Sequence, residues 1–335
     1  MTVVRVAAVP LTGRNLPVRV PMLLEQISTF DNLVRAFAQC ARGKRGSAGY
    51  QRAMFANGER LLTIQKKLRQ GTYVWQPYRE ILVKDPKALL VMAAPFMDRV
   101  VHTAIHRVVE PIFEARLLPS VYACRKGRGN RLAAQHLLTA LQAIGPERFV
   151  VKLDVKRYFD SISHERLLQR VCAILPDPSL DLLFDSLLRS HPAYAARGYG
   201  IPIGNLSSQL FANYYLTEAD ALATARLGDD GFYFRYMDDM VLGGPDKKRV
   251  LDAAGQVVDF VTDQLRLEIP FTKRMPLGNA PVPFLGYLLD HDGYRILARN
   301  GRRHGKRMNR LKKLGARPSQ LALRELSFAA FARLV

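Results

Sequence analysis

The chain has 335 residues, 48% of them apolar and 24% charged, the balance of a folded soluble protein and not of a disordered one. Fifty Lys and Arg against 29 Asp and Glu leave a net charge of +21, which favours a polyanionic partner, nucleic acid before an anionic membrane surface. No apolar run nears the ~18 residues that cross a bilayer, Arg5, Pro10 and Arg14 interrupt the N-terminus before any signal-peptide pattern forms, and the expectation is a cytoplasmic protein with no membrane contact.

In chain order, Leu23, Ile27, Phe30, Leu33, Val34 and Phe37 recur at helical spacing and predict one helix over 22–42. A basic, glycine-rich break at 43–49 precedes a second helix over 51–70, stopped by Gly71. Residues 72–95 alternate β-branched and aromatic side chains around Asp85-Pro86, which predicts a hairpin. Helices are expected at 96–117 and 131–143. RFVVKLDV, from residue 148, is a short apolar strand that ends in an acid, Asp154. Ser163 is a capping candidate for a helix over 161–175, and 180–190 is helical. RGYGIPIGN (197–205) is a glycine-rich turn, followed by a long helix over 207–227.

FYFRY and MVLG flank Asp238 and Asp239 as strands, so this pair sits at the tip of a hairpin. A second acidic pair, Asp229-Asp230, lies between Leu227-Gly228 and Gly231 and reads as a solvated turn. Residues 249–265 are helical and 283–294 form a strand pair. From Arg299 to Arg317 the chain holds nine Lys or Arg and no acid, a stretch suited to phosphates. Strands and helices mix without βα alternation, so the fold class is α+β. Cys40, Cys124 and Cys172 are far apart and lack CxxC spacing, which predicts reduced thiols with no disulfide and no zinc site. His102 and His106 have i, i+4 spacing but no third ligand, and read as structural or surface histidines.

Two carboxylates on a rigid hairpin tip are hard oxygen ligands in a fixed place, the donors that Mg²⁺ prefers. A two-metal phosphoryl-transfer site needs a further acid from another strand. Asp154 supplies it. The positive surface would then hold the polyanion whose phosphates those ions touch.

With these residues together, YMDD (Tyr236 to Asp239) and LDVKRYFDSI (Leu153 to Ile162) resemble the palm of reverse transcriptases. YACRKGRG (122–129), GIPIGNLSSQLFAN (200–213) and PFLGY (283–287), in that order with YMDD, resemble the reverse transcriptase of diversity-generating retroelements. Ile203-Gly204-x-x-x-Ser208-Gln209 carries the finer resemblance, since most reverse transcriptases have a Gln-Gly…Ser-Pro version. The likeness runs from about residue 23 to the C-terminus.

The resemblance implies a right-hand polymerase: an N-terminal helical extension (1–71), fingers (72–147), a palm (148–290, with a fingers insertion at about 171–200) and a small basic thumb (291–335). It implies that Asp154, Asp238 and Asp239 are the catalytic, metal-holding acids for two Mg²⁺ ions, with Mn²⁺ a substitute. Phe159 would stack under the sugar and exclude a 2′-hydroxyl. Ile203, Gly204 and Gln209 would form the nucleotide pocket, and Lys273 would protonate pyrophosphate. Leu285, Gly286 and Tyr287 match the primer grip; Lys126, Arg128, Arg302, Arg303, Lys306 and Arg310 would contact template or primer phosphates.

One position departs from the family: Leu89 stands where an Arg clamps the incoming triphosphate, so weaker nucleotide binding or altered fidelity is expected. Lys87 is assigned to the nucleotide in its place, with Lys84 and Arg99 as neighbours that could share the task. The implied activity is copying a template-repeat RNA into cDNA from a DNA or RNA primer and dNTPs, with errors at template adenines. The implied partner is a small basic oligomeric accessory variability determinant. No RNase H-like, endonuclease or maturase segment is expected. The alternatives are a group II intron-like or defence-associated reverse transcriptase without a mutagenic role, and a non-catalytic nucleic-acid-binding relative.

Overall fold

A computed structural model describes residues 23–55, 57–84, 88–175 and 177–334. The helix expected over 22–42 is two, Leu23–Ser28 and Phe30–Ala41, because the Thr29 side chain accepts from the Asn32 N–H and caps the second. The one expected over 51–70 is likewise Ala48–Met54, capped by Ser47, and Asn57–Arg69. Strands β1 (Arg79–Lys84) and β2 (Ala88–Ala93) pair antiparallel, as the hairpin reading required; Asp85, Pro86 and Lys87 at its turn lie outside the described residues. Helix Phe96–Glu114 buries Phe96, Val100, Val101, Ala104, Ile105 and Val109 in the main core.

The central sheet holds β3 (Phe149–Asp154), β4 (Phe232–Tyr236), β5 (Asp239–Gly244) and β6 (Arg274–Gly278), in the order β4-β5-β3-β6 and antiparallel throughout. Alternation along the strands feeds two cores. Val151, Leu153, Met240, Leu242 and Tyr233 join the large core with helix Lys247–Asp263. Val150, Val241, Phe232 and Phe234 face a second core built on helix Asn130–Ile144 and a three-stranded sheet. That sheet is β7 (Val282–Phe284), β8 (Tyr287–Asp290) and β9 (Gly293–Ile296), one strand more than the predicted pair.

The long helix expected over 207–227 breaks at Leu216 into Leu206–Tyr215 and Thr217–Leu227. The Ser163 cap forms, accepting from the Arg166 N–H. Two helices, Ala298–Lys313 and Pro318–Ala332, follow β9. Among the described residues no helix is long and apolar enough to cross a membrane.

Candidate active site

Asp154 ends β3 and Asp239 begins β5, and the two are directly opposed in register. Tyr236 pairs with Asp239 across β4 and β5, which leaves Met237 and Asp238 as a two-residue turn. Sequence therefore becomes geometry through strand pairing: two acids 85 positions apart meet at one sheet end, with Asp238 on the turn beside them. Met237 takes φ +60°, a left-handed conformation rare for a non-glycine residue.

Arg235 holds that turn. Its Nη1 donates to the Met237 carbonyl at 2.9 Å and its Nη2 to the Asn213 carbonyl at 2.9 Å. The guanidinium also forks onto Asp220, with Nε–Oδ1 and Nη2–Oδ2 both 2.6 Å, and the Tyr233 hydroxyl donates to the same Asp220 Oδ1 at 2.7 Å. Both ion-pair side chains are wholly buried, and burial without this many partners would be prohibitive. Neither residue had been singled out from the sequence; an Arg inside the apolar strand FYFRY was the available signal.

The three carboxylates differ in their partners. Burial, and next the Asp154 charge, push the Asp238 carboxyl up to about 6. Burial also raises Asp239, against the opposing pull of Lys152, whose Nζ donates to Asp239 Oδ2 at 2.8 Å. Asp239 Oδ1 is buried and has no hydrogen-bond partner. Asp154 is ion-paired with Lys273, the lysine assigned to pyrophosphate. Among the described residues no three His, Cys, Asp or Glu side chains are already grouped around a common point for an ion. The donor set nevertheless fits Mg²⁺: all oxygen, on rigid strand ends, with a buried carboxylate oxygen left over and lysine ammoniums balancing the charge.

Backbone bonds tie part of the expected nucleotide set to the segment that leaves β3 and to β2. Arg157, at φ +46°, turns the chain out of β3 into the short helix Tyr158–Ser161, which carries half-buried Phe159. The Ile201 N–H donates to the Phe159 carbonyl, and the Met92 N–H of β2 donates to the Ile203 carbonyl, both near 3.0 Å. Gly204 has φ +120°, and a Cβ there would lie 3.1 Å from the Met92 carbonyl, so the approach of β2 demands glycine. Arg99 and buried His102 line a pocket of about 210 Å³ beside Gly204. The structural reading of His102 holds: its Nδ1 lies 2.8 Å from Ser207 Oγ, and burial lowers its pKa to about 3. Lys87 lies outside the described residues, and Leu89 pairs with Val83 in the hairpin register.

Gln209 and Lys126 line one polar groove of about 470 Å³ with Arg107 and Arg125. Arg128 stands 5.6 Å over the Tyr122 ring and donates to the Pro119 carbonyl. At the other hairpin, Leu285 (φ +49°) and Gly286 (φ +98°) form the two-residue turn between β7 and β8. Tyr287 is fully buried, stacks on Phe331 and donates to its carbonyl at 2.7 Å, so it braces the last helix and presents no surface to a strand. Arg302, Arg303, Lys306 and Arg310 are all exposed on Ala298–Lys313. Arg303 also lines a groove of about 800 Å³ with Arg299, Arg324, Phe328 and Gly286.

Residues 87–289, more than half the chain and every strand of the site, match the family described as reverse transcriptase (RNA-dependent DNA polymerase). The chain belongs to the reverse transcriptase family. This reverse transcriptase is 28% identical over 173 residues to the group II intron-encoded protein LtrA of Lactococcus lactis subsp. cremoris, a match covering 48% of this chain and 28% of the relative. It is 27% identical over 168 residues to protein YkfC of Escherichia coli K12, covering 48% and 44%. The match thus spans less than half the length of either relative. A structure of apo telomerase from Candida tropicalis, truncated from its C-terminal domain, superposes with TM-score 0.51 at 11% identity, over 67% of this chain and 55% of that one. That likeness carries the fold: α+β, in the right-hand polymerase arrangement expected from the sequence.

Proposed function

We propose that this reverse transcriptase extends a DNA or RNA primer on an RNA template, adding dNTPs by two-metal phosphoryl transfer. The observation that supports the reading best is the meeting of Asp154, Asp238 and Asp239 at one end of the sheet, with one buried Asp239 oxygen unpartnered. When bound, two Mg²⁺ ions would supply positive charge to the attacking and leaving oxygens. Asp154, Asp238 and Asp239 would hold them. The Arg235 fork keeps the turn, and with it Asp238, in one place, which fixes the line of attack of the primer 3′-hydroxyl on the α-phosphate. Phe159 closes the space under the sugar. Lys273 carries a proton beside Asp154 that it can give to departing pyrophosphate.

The finer reading is diversity-generating retrohoming: a template-repeat RNA is copied with errors at its adenines, with a small basic oligomeric accessory variability determinant as partner. The sequence pattern Ile203-Gly204-x-x-x-Ser208-Gln209, in place of the Gln-Gly…Ser-Pro version, supports it. A second reading, a group II intron-like enzyme with no mutagenic role, is favoured by the likeness to LtrA.

Primer extension on an adenine-containing RNA template, with Mg²⁺ and four dNTPs and the products sequenced, tests both. Extension is expected and should fall by at least about a thousandfold in Asp238→Asn, the scale of several kcal/mol of lost metal stabilisation. Errors concentrated opposite adenines support retrohoming; accurate copying supports the intron-like reading; extension that survives in Asp238→Asn overturns the metal assignment.

A further inference from the structure

Lys152 stands in the apolar strand FVVKLD, and strand alternation turns it to the same face of the sheet as Asp154. Its side chain is 11% exposed. The ammonium makes three contacts: 2.8 Å to Asp239 Oδ2, 2.8 Å to the Pro283 carbonyl, and 5.7 Å to the centre of the Phe284 ring. A buried ammonium is costly unless its protons are placed, and this one divides them between two sheets. On one side is a carboxylate of the metal-binding set. On the other is β7, whose next two residues are the Leu285-Gly286 turn. Among the described residues no other ion pair touches Asp239.

We infer that Lys152 is a positioning residue that occupies one oxygen of Asp239, leaves the other to a metal ion, and sets the β7–β8 hairpin in register with the metal site. The metal half of the inference needs only the carboxylates; the hairpin half rests on the polymerase reading above. Two opposite effects follow from removing the lysine, and their signs differ. Loss of a nearby positive charge would tighten cation binding. Loss of orientation would weaken it, and groups that orient a metal ligand are commonly worth about 10–100-fold in affinity. The inference requires that orientation wins.

The test is Mn²⁺ binding to the full chain without nucleic acid, followed by electron paramagnetic resonance, for wild type, Lys152→Met, Lys152→Arg, Asp239→Asn and the Lys152→Met/Asp239→Asn double variant. Lys152→Met should weaken Mn²⁺ binding about tenfold, Lys152→Arg should recover most of it, and Lys152→Met should add nothing in the Asp239→Asn background. Unchanged or tighter binding in Lys152→Met overturns the inference, as does a full further loss in the double variant. Should Lys152→Met lose its thermal unfolding transition, Lys152→Gln decides by the same criterion. In primer extension the Lys152→Met defect should appear as a severalfold rise in primer KM beside a fall in kcat, with dNTP KM unmoved. A wild-type protein that binds Mn²⁺ but extends nothing would defeat the polymerase reading and leave the metal half standing on its own result.

Discussion

Asp238 meets burial first and the Asp154 charge second, and its carboxyl is lifted from an ordinary 3.8 to about 6. Between those values the folded chain binds more of this proton than the unfolded chain, so the contribution of Asp238 to stability falls as pH rises through about 4 to 6. The measurement is the melting temperature of metal-free wild type minus that of Asp238→Asn across this range. The difference should shrink with rising pH, and Mg²⁺ should restore it above about pH 6 by binding the deprotonated form. The three acids were legible in the sequence because a carboxylate that ends an apolar strand, or sits between two, is out of place unless it has a task. Lys152 and Arg235 were not. Each is a lone cation in an apolar strand, and the partner that gives it meaning, Asp239 or Asp220, arrives only through pairing and packing.

Elements that carry the turn depend on partners elsewhere in the chain. Helix Thr217–Leu227 provides Asp220 and helix Leu206–Tyr215 provides the Asn213 carbonyl, and both converge on Arg235 of β4. Asp220→Asn should therefore destabilise the fold by about 3–5 kcal/mol, since it strands a buried guanidinium, and the Asp220→Asn/Arg235→Met double variant should lose less than Asp220→Asn alone. Chemical denaturation of the three proteins checks this. The same helices show what the sequence pattern could not tell. Apolar periodicity runs unbroken through Thr29 and Leu216, so each stretch read as one helix. The break at Thr29 comes from its side chain capping the Asn32 N–H, a choice that pattern alone does not reveal. The β1–β2 hairpin and β3 were legible for the opposite reason: short β-branched runs bounded by turn residues admit few other structures.

Over the whole molecule, the charge of +21 coexists with three acids gathered at one sheet end, where Lys152 and Lys273 pair with Asp239 and Asp154. Arg302, Arg303, Lys306 and Arg310 are exposed on one helix that follows β9. Replacing all four by Gln should weaken primer–template binding and reduce the slope of log affinity against log salt by about 3, if each neutralises one phosphate. Fluorescence anisotropy at several salt concentrations measures it; an unchanged slope would remove this helix from the nucleic-acid track. Composition pointed to a polyanionic partner, and the mixing of strands and helices without βα alternation pointed to the α+β class. The strand order β4-β5-β3-β6 was hidden, because β6 reaches the sheet from beyond a 17-residue helix.

The buried fork between Asp220 and Arg235 also constrains heredity. The two positions lie 15 residues apart in the gene product, and no water reaches either side chain to soften a mismatch. A lineage that altered one codon alone would pass through a protein holding a stranded charge beneath its Met237-Asp238 turn. Descendants should therefore keep both residues or exchange both together, so that two separate codons behave as a single inherited character.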